Sequence, residues 1–183
     1  MKPTLVWMAA LVLVGGCRFA PLRNRDDPTQ GLAFGRIAVT GTPLRMTHVV
    51  LQRIDAVTIG GPEGIRRTHT SEDGYFYSHN LDPGRYAVFG FYTGAGNFHL
   101  NSARRCCGFE VRSGDVSYAG TYQVQHVDRG LFALDDNSFT RDDSPASELD
   151  VLDWLATKVV AGTDWAPLAQ ARLARLRSSG LHD

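Results

Sequence analysis

The chain has 183 residues, 43% of them hydrophobic, and its 19 basic residues balance 19 acidic ones. This balance, without a basic stripe, argues against a nucleic-acid or polyphosphate partner. The apolar fraction is enough for an ordinary core, and the length suits one domain with an appendage better than two full domains.

The first 17 residues have the pattern of an export signal. Lys2 precedes an apolar run from Leu5 to Val14, which at about ten residues is too short to cross a ~30 Å hydrocarbon layer. Two small residues, Gly15 and Gly16, then lead to Cys17. This ending resembles the lipobox of bacterial lipoproteins.

That resemblance implies that residues 1–16 are a signal peptide and that Cys17 is lipidated, its thiol alkylated and its new amino terminus acylated, with palmitate as the expected acyl group. The membrane is then a partner through the lipid anchor. Arg18 stands where an aspartate would imply retention at the inner membrane, so the resemblance implies the outer membrane, facing the periplasm. The alternative is a secretory peptide cleaved near Gly15 or Gly16, which leaves Cys17 as a spare thiol.

Residues 17–30 are predicted to be the lipidated cysteine and a flexible tether, because the segment is polar and holds two prolines. From residue 31 to 124 the pattern changes to short β-type runs separated by turn residues. It predicts a mainly β fold, a seven- to eight-stranded sandwich of the immunoglobulin-like or transthyretin-like kind. The predicted strands are Leu32–Thr40, His48–Ile54, Ala56–Ile59, Ile65–Thr70, Tyr75–Tyr77, Arg85–Tyr92, Cys107–Val111 and Val116–Val124.

One stretch of this domain is more specific than its periodicity. Residues 70–77, TSEDGYFY, and residues 81–88, LDPGRYAV, resemble the signature of carboxypeptidase regulatory-like, transthyretin-related β-sandwiches. Gly74 is expected to start a strand after a turn, Phe76 to anchor the core, and Pro83-Gly84 to reverse the chain so that Tyr86 enters the opposite sheet.

Residues 125–143 are charged and are predicted to be an irregular acidic linker. Residues 144–178 are predicted to be a C-terminal α-helical hairpin, since Ser144-Pro145 is a capping hydroxyl followed by a proline at the first helical position. Leu152 and Leu155 lie on the apolar stripe of the first helix. We expect this hairpin either to pack on the sandwich or to bind a partner through these two leucines.

The neighbouring cysteines Cys106 and Cys107 leave three outcomes open. In a strand, one would be buried as a small apolar residue and the other exposed. A disulfide between them is a second possibility, although their Cα atoms lie only ~3.8 Å apart, below the usual range. An intermolecular bridge, a redox role or a metal contact is the third, without the Cys-x-x-Cys spacing that such sites prefer.

Other residue patterns give weaker signals of chemistry. His69 and His79 flank one turn and could meet across a hairpin, and the acid pairs Asp135-Asp136 and Asp142-Asp143 lack the ligand spacing of a calcium loop. Tyr75 and Tyr77 share a strand face that could be packed or could bind a peptide or glycan. No serine-nucleophile motif is present.

The sequence therefore predicts a membrane-anchored periplasmic lipoprotein that is not an enzyme, uses no cofactor and acts as a binding or structural module. An envelope protein is a possible partner, and the sequence leaves a small-molecule ligand unknown. Two alternatives stay open. One is a subunit of an envelope or secretion assembly that docks through the C-terminal helices, and the other is a metal-binding or hydrolytic sandwich protein.

Overall fold

The structure, a computed structural model, describes residues 22–41, 45–55, 64–94, 96–99, 107–127 and 136–179. Within them lie ten strands and two α-helices joined by a π-helical turn. The strands are β1 (Gly31–Thr40), β2 (Met46–Arg53), β3 (Ile65–Arg67), β4 (His69–Thr70), β5 (Tyr75–Leu81), β6 (Gly84–Thr93), β7 (Gly96–His99), β8 (Gly108–Val111), β9 (Val116–Val127) and β10 (Asp136–Asp142). The helices are α1 (Pro145–Trp154) and α2 (Ala166–Ser179), with the π-helical turn at Leu155–Val159.

The strands form two sheets packed as a sandwich. Sheet A has the order β10-β9-β1-β5-β4, and sheet B has the order β3-β2-β6-β7, with β8 also paired to β6. All strand pairs are antiparallel except β1 and β9, which run parallel. The predicted mainly β sandwich is confirmed, but the described residues form ten strands where seven or eight were predicted.

Sheet A is buried on both faces, which makes the molecule three-layered. Along β1, Ala33 and Ile37 pack into the core between the sheets. Leu32 and Phe34 point the other way and pack against the helices. β1 is buried along most of its length because both of its faces are covered. Such a strand has a run of apolar residues without polar alternation.

The signature region behaves as its residues predict. Gly74 has φ +83°, and a Cβ there would lie 1.9 Å from the carbonyl oxygen of Ile37, so only glycine fits this turn. Phe76 is fully buried in the core between the sheets. Gly84 starts β6 in sheet B, so Tyr86 does enter the sheet opposite β5.

Two predicted segments differ from the structure. The predicted strand Ile65–Thr70 is divided at Thr68, where the chain passes from sheet B to sheet A. Thr68 is buried and its Oγ1 accepts a hydrogen bond of 3.0 Å from the Val49 amide. Of the predicted strands, Ala56–Ile59 lies outside the described residues.

The irregular linker predicted for residues 125–143 is wrong where the structure describes it. Residues 125–127 continue β9, and Asp136–Asp142 form β10, which pairs along β9 at the edge of sheet A. The strand is ordered by its backbone partner more than by its own composition, since Phe139 is its only large apolar residue.

The C-terminal helical hairpin is confirmed. Ser144 caps α1 by accepting a hydrogen bond from the Ser147 amide, with Pro145 as the first helical residue. Trp165 and Leu173 of the hairpin are buried in the core between the helices and sheet A. In the described part of the chain, no helix is both long and apolar enough to cross a membrane.

Candidate functional site

Two of the three cysteines, Cys17 and Cys106, lie outside the described residues. Cys107 is fully buried in the core between the sheets and is disulfide-bonded. In this state Cys107 has no free thiolate for metal binding, and the pairing of Cys106 with Cys107 stays a prediction.

The structure does not leave Leu152 and Leu155 available to a partner. Both are 0% exposed, and they pack with Phe34, Tyr77 and Trp165 in the core between sheet A and the helices. The prediction that these leucines bind a partner is wrong, because the apolar face of α1 covers sheet A of its own chain.

His69 and His79 do come together, as expected of residues that flank one turn. Their ring centroids are 5.8 Å apart at an interplanar angle of 24°, and His69 stacks on Tyr77 at 4.9 Å. Stacked rings do not aim two nitrogens at one point. Within the described ranges, no group of three His, Cys, Asp or Glu residues could hold a metal ion.

The environment of His79 opposes protonation. Burial lowers its pKa, and the neighbouring His69 and Arg23 lower it further, while Asp26 acts in the opposite direction. The Nδ1 atom of His79 is buried without a hydrogen-bond partner in the structure. The cluster is thus a stack of aromatic rings in which burial opposes the charged form of His79.

The tyrosine face expected on β5 is covered. Tyr77 is 1% exposed, and Tyr75 stacks on Trp154 of α1 at 4.9 Å. Arg36 lies 4.6 Å over the Tyr75 ring, and the Tyr75 hydroxyl donates to Asp150 at 2.8 Å. These rings hold α1 on sheet A and do not form an open binding patch.

The acid pair Asp142-Asp143 has a structural role. One carboxylate oxygen of Asp142 accepts a 2.9 Å hydrogen bond from the Ser144 amide, and the other accepts from the Ser147 hydroxyl. These bonds lower the pKa of Asp142. Asp143 pairs with Arg141 at 2.7 Å, while Asp135 lies outside the described residues.

A surface that the sequence analysis missed lies on sheet B. A groove of about 230 Å³ is lined by one basic and several apolar residues, and we call it the sheet B groove. Its lining residues are Val50, Ile65, Arg67, Phe89, Gly90, Phe91, Tyr92 and Phe98. Ile65 is 40% exposed, which sets it apart from the other large hydrophobic residues of the described chain.

The groove arises where β6 is irregular. The register between β2 and β6 shifts between Val50 and Leu51, so one extra residue of β6 interrupts the ladder beside Phe89. Beside the groove, His48 stacks on Tyr92 at 4.3 Å, and burial followed by the charge of Arg67 lowers the His48 pKa. A β-bulge leaves no clear mark in a single sequence, which explains why the groove was not predicted.

The second feature that the sequence analysis missed is the packing of residues 22–25 against the turn before α2. Leu22 is 8% exposed and packs with the helical core. The backbone amide of Arg25 donates to both carboxylate oxygens of Asp164 at 3.1 and 3.2 Å, and Trp165 Nε1 donates to the Arg23 carbonyl at 3.2 Å. We call this set of contacts between Leu22–Arg25 and Asp164–Trp165 the anchor seat.

For residues 22–26 the anchor seat corrects the prediction of a flexible tether, while residues 17–21 lie outside the described residues. The Asp164 amide donates to Asn24 Oδ1 at 3.2 Å, and the Arg25 guanidinium lies 5.5 Å from the Trp165 ring centroid. Asp26 accepts a 2.8 Å bond from Asn80 at the end of β5. These backbone and side-chain contacts order a polar segment that cannot order itself.

No protein-family model matches the chain, and no curated protein matches it. Among solved structures, the chain is similar to a "putative cell adhesion protein" from Bacteroides fragilis NCTC 9343, with a TM-score of 0.32 and 8% identity. The alignment covers 63% of this chain and 46% of that protein, so the chain spans less than half the length of its structural neighbour.

Proposed function

We propose that this chain is a lipoprotein anchored through Cys17 to the periplasmic face of the outer membrane, where it acts as a non-catalytic binding or structural module. The observation that carries the binding role is the difference between the two outer faces of the sandwich. Helices cover the outer face of sheet A, whereas sheet B carries the groove with the exposed Ile65 beside it.

The size of the groove favours a macromolecular contact. Pockets for small ligands have volumes of ~300–1,000 Å³ and enclose most of the ligand, whereas this one measures about 230 Å³ and has the exposed Ile65 at its side. Apolar and aromatic side chains next to an arginine are typical of the centre of a protein interface. The groove therefore suits one side of a protein contact better than a substrate pocket.

The anchoring part of the proposal is tested by metabolic labelling with radioactive palmitate. The wild-type chain should incorporate label and sediment with envelope fragments, because two or three acyl chains hold a protein on a bilayer for practical purposes. The Cys17→Ala variant should do neither. A wild-type chain without label, or an equally sedimentable Cys17→Ala variant, would remove the basis for anchoring.

The binding part is tested by photocrosslinking in intact cells. A benzophenone amino acid in place of Ile65 should give a protein adduct of discrete mass, and the same probe in place of Gln123 should give none. Gln123 is the matched control because it is an exposed strand residue of sheet A. The Arg67→Glu substitution should weaken the Ile65 adduct without lowering the melting temperature. Equal adducts at both positions would contradict a binding role for the groove.

A further inference from the structure

The first described residues, Leu22–Arg25, lie at one particular end of the molecule. Leu22 is buried among the helical core residues, and the next three residues are bound to the turn between the π-helical segment and α2. Val160 and Trp165 are fully buried there, while Ala161 and Gly162 are exposed at the tip of the turn. The chain that arrives from Cys17 therefore meets the folded body at this turn.

The anchor seat shortens the reach of the lipid anchor. Five chain steps separate Cys17 from Leu22, and at ~3.6 Å per step they span at most ~18 Å. A tether that was free as far as Gly31 would have fourteen steps and a reach of ~50 Å. A folded body of this size is ~40 Å across, so only the longer tether would let it turn any face to the bilayer.

We propose that the anchored protein stands on the bilayer with the turn Val160–Trp165 against the lipid headgroups. This inference rests on the proposed lipidation of Cys17. This turn would thus contact the headgroup layer of the same membrane that holds the lipid anchor. The exposed side chains of Arg23 and Lys158 near this turn suit contact with lipid phosphates.

The turn between β4 and β5 lies at the end of β5 that is farther from the anchor seat. Asp26 binds Asn80 at one end of β5, and the exposed Glu72 lies beyond the other end, where it pairs with Arg45 at 2.7 Å. Seven residues of strand separate these ends, a length of ~23 Å. The proposed orientation thus holds Glu72 away from the membrane.

The experiment uses the full chain, processed in cells and reconstituted in vesicles of phosphatidylethanolamine and phosphatidylglycerol that contain radioactive phospholipid. A benzophenone amino acid replaces Ala161 in one variant and Glu72 in a second, so that both probes are at exposed turn positions. Illumination should attach labelled phospholipid to the Ala161 variant several times more than to the Glu72 variant.

A third variant carries the benzophenone probe at position 161 and, in addition, about ten Gly and Ser residues inserted between Pro21 and Leu22. This flexible insertion lengthens the tether and leaves the anchor seat unchanged. In this chain the lipid adduct at position 161 should fall toward the value at position 72. Incorporation of palmitate is measured on every sample. Palmitate with equal adducts at 161 and 72 in the native-length chain would overturn the orientation alone, and absence of palmitate would overturn the lipidation together with it.

Discussion

Arg172 of α2 places its Nε 2.7 Å from Oε1 of Glu148 on α1 and donates a further 2.7 Å bond from Nη1 to the Val116 carbonyl of β9. The pair therefore links both helices to sheet A. Its side chains are only 23% and 15% exposed, so water screens the ion pair weakly. The Arg172→Ala substitution leaves the Glu148 carboxylate without this partner and should lower the free energy of unfolding by about 2–3 kcal/mol.

The chain contains a matched control for this prediction. Arg177 of α2 pairs with Asp153 of α1 at 2.9 Å, but these side chains are 58% and 48% exposed. Arg177→Ala should cost less than about 1 kcal/mol, since water screens exposed ion pairs. Urea unfolding of both variants gives the comparison. Equal costs would show that burial does not distinguish the two pairs.

Gly74 and Gly162 allow the effect of backbone strain to be compared with the effect of a steric clash. Their φ angles are almost equal, +83° and +80°, but only Gly74 has close neighbours. A Cβ at Gly162 meets nothing within 4 Å, so Gly162→Ala should cost about 1–2 kcal/mol from the left-handed conformation alone. A Cβ at Gly74 collides with the Ile37 carbonyl, so Gly74→Ala should be among the most destabilising single changes. Thermal unfolding measures the difference, and similar melting temperatures would refute the steric argument.

The pKa of His79 should respond in opposite directions to its two neighbours. The His69→Gln substitution removes a repelling charge and should raise the His79 pKa, whereas Asp26→Asn removes an attracting one and should lower it. Titration of the imidazole by NMR measures both shifts. Since folding lowers this pKa from its ordinary value of 6.5, the protein should lose stability as pH falls below 6.5 toward the lowered value.

Tyr118 provides the corresponding test at alkaline pH. Burial raises its pKa from 10.0 to about 12, so its contribution to stability is complete below pH 10 and is lost as pH rises toward 12. The Tyr118→Phe variant should lose less stability over this interval than the wild type. At neutral pH the Tyr118→Phe substitution should lower the free energy of unfolding by about 1 kcal/mol, because it removes the 2.7 Å hydrogen bond from the Tyr118 hydroxyl to Thr121. Identical pH profiles would show that Tyr118 does not titrate separately from unfolding.

The sequence predicts the sandwich because its strands have local signals. Gly74 and Pro83-Gly84 mark the turns around β5, and the Ser144 cap with Pro145 marks the start of α1. These residues act on the backbone within a few positions of themselves, so their effect is readable without a partner. Phe76, the inward aromatic of the signature, is buried as predicted, because the alternation along β5 turns it toward the core between the sheets.

The missed features depend on distant partners. β10 forms because β9 supplies its ladder, and Arg25 is fixed by Asp164, which lies 139 residues away. Composition alone makes both segments look irregular, and hydrogen bonds across the fold overcome that preference. The sheet B groove depends on a bulge whose register no local pattern gives.

The burial of Leu152 gives a final test of what the hairpin does. The side chain is 0% exposed, so Leu152→Ala should lower the free energy of unfolding by about 2–5 kcal/mol through lost burial and a cavity. Leu176 packs against the same core but is only partly buried, so Leu176→Ala should lower the free energy of unfolding clearly less. Urea unfolding of both variants measures the costs. If the Leu152→Ala variant kept the wild-type stability, the leucine would face solvent or a partner, and the layer of helices on sheet A would have to be redrawn.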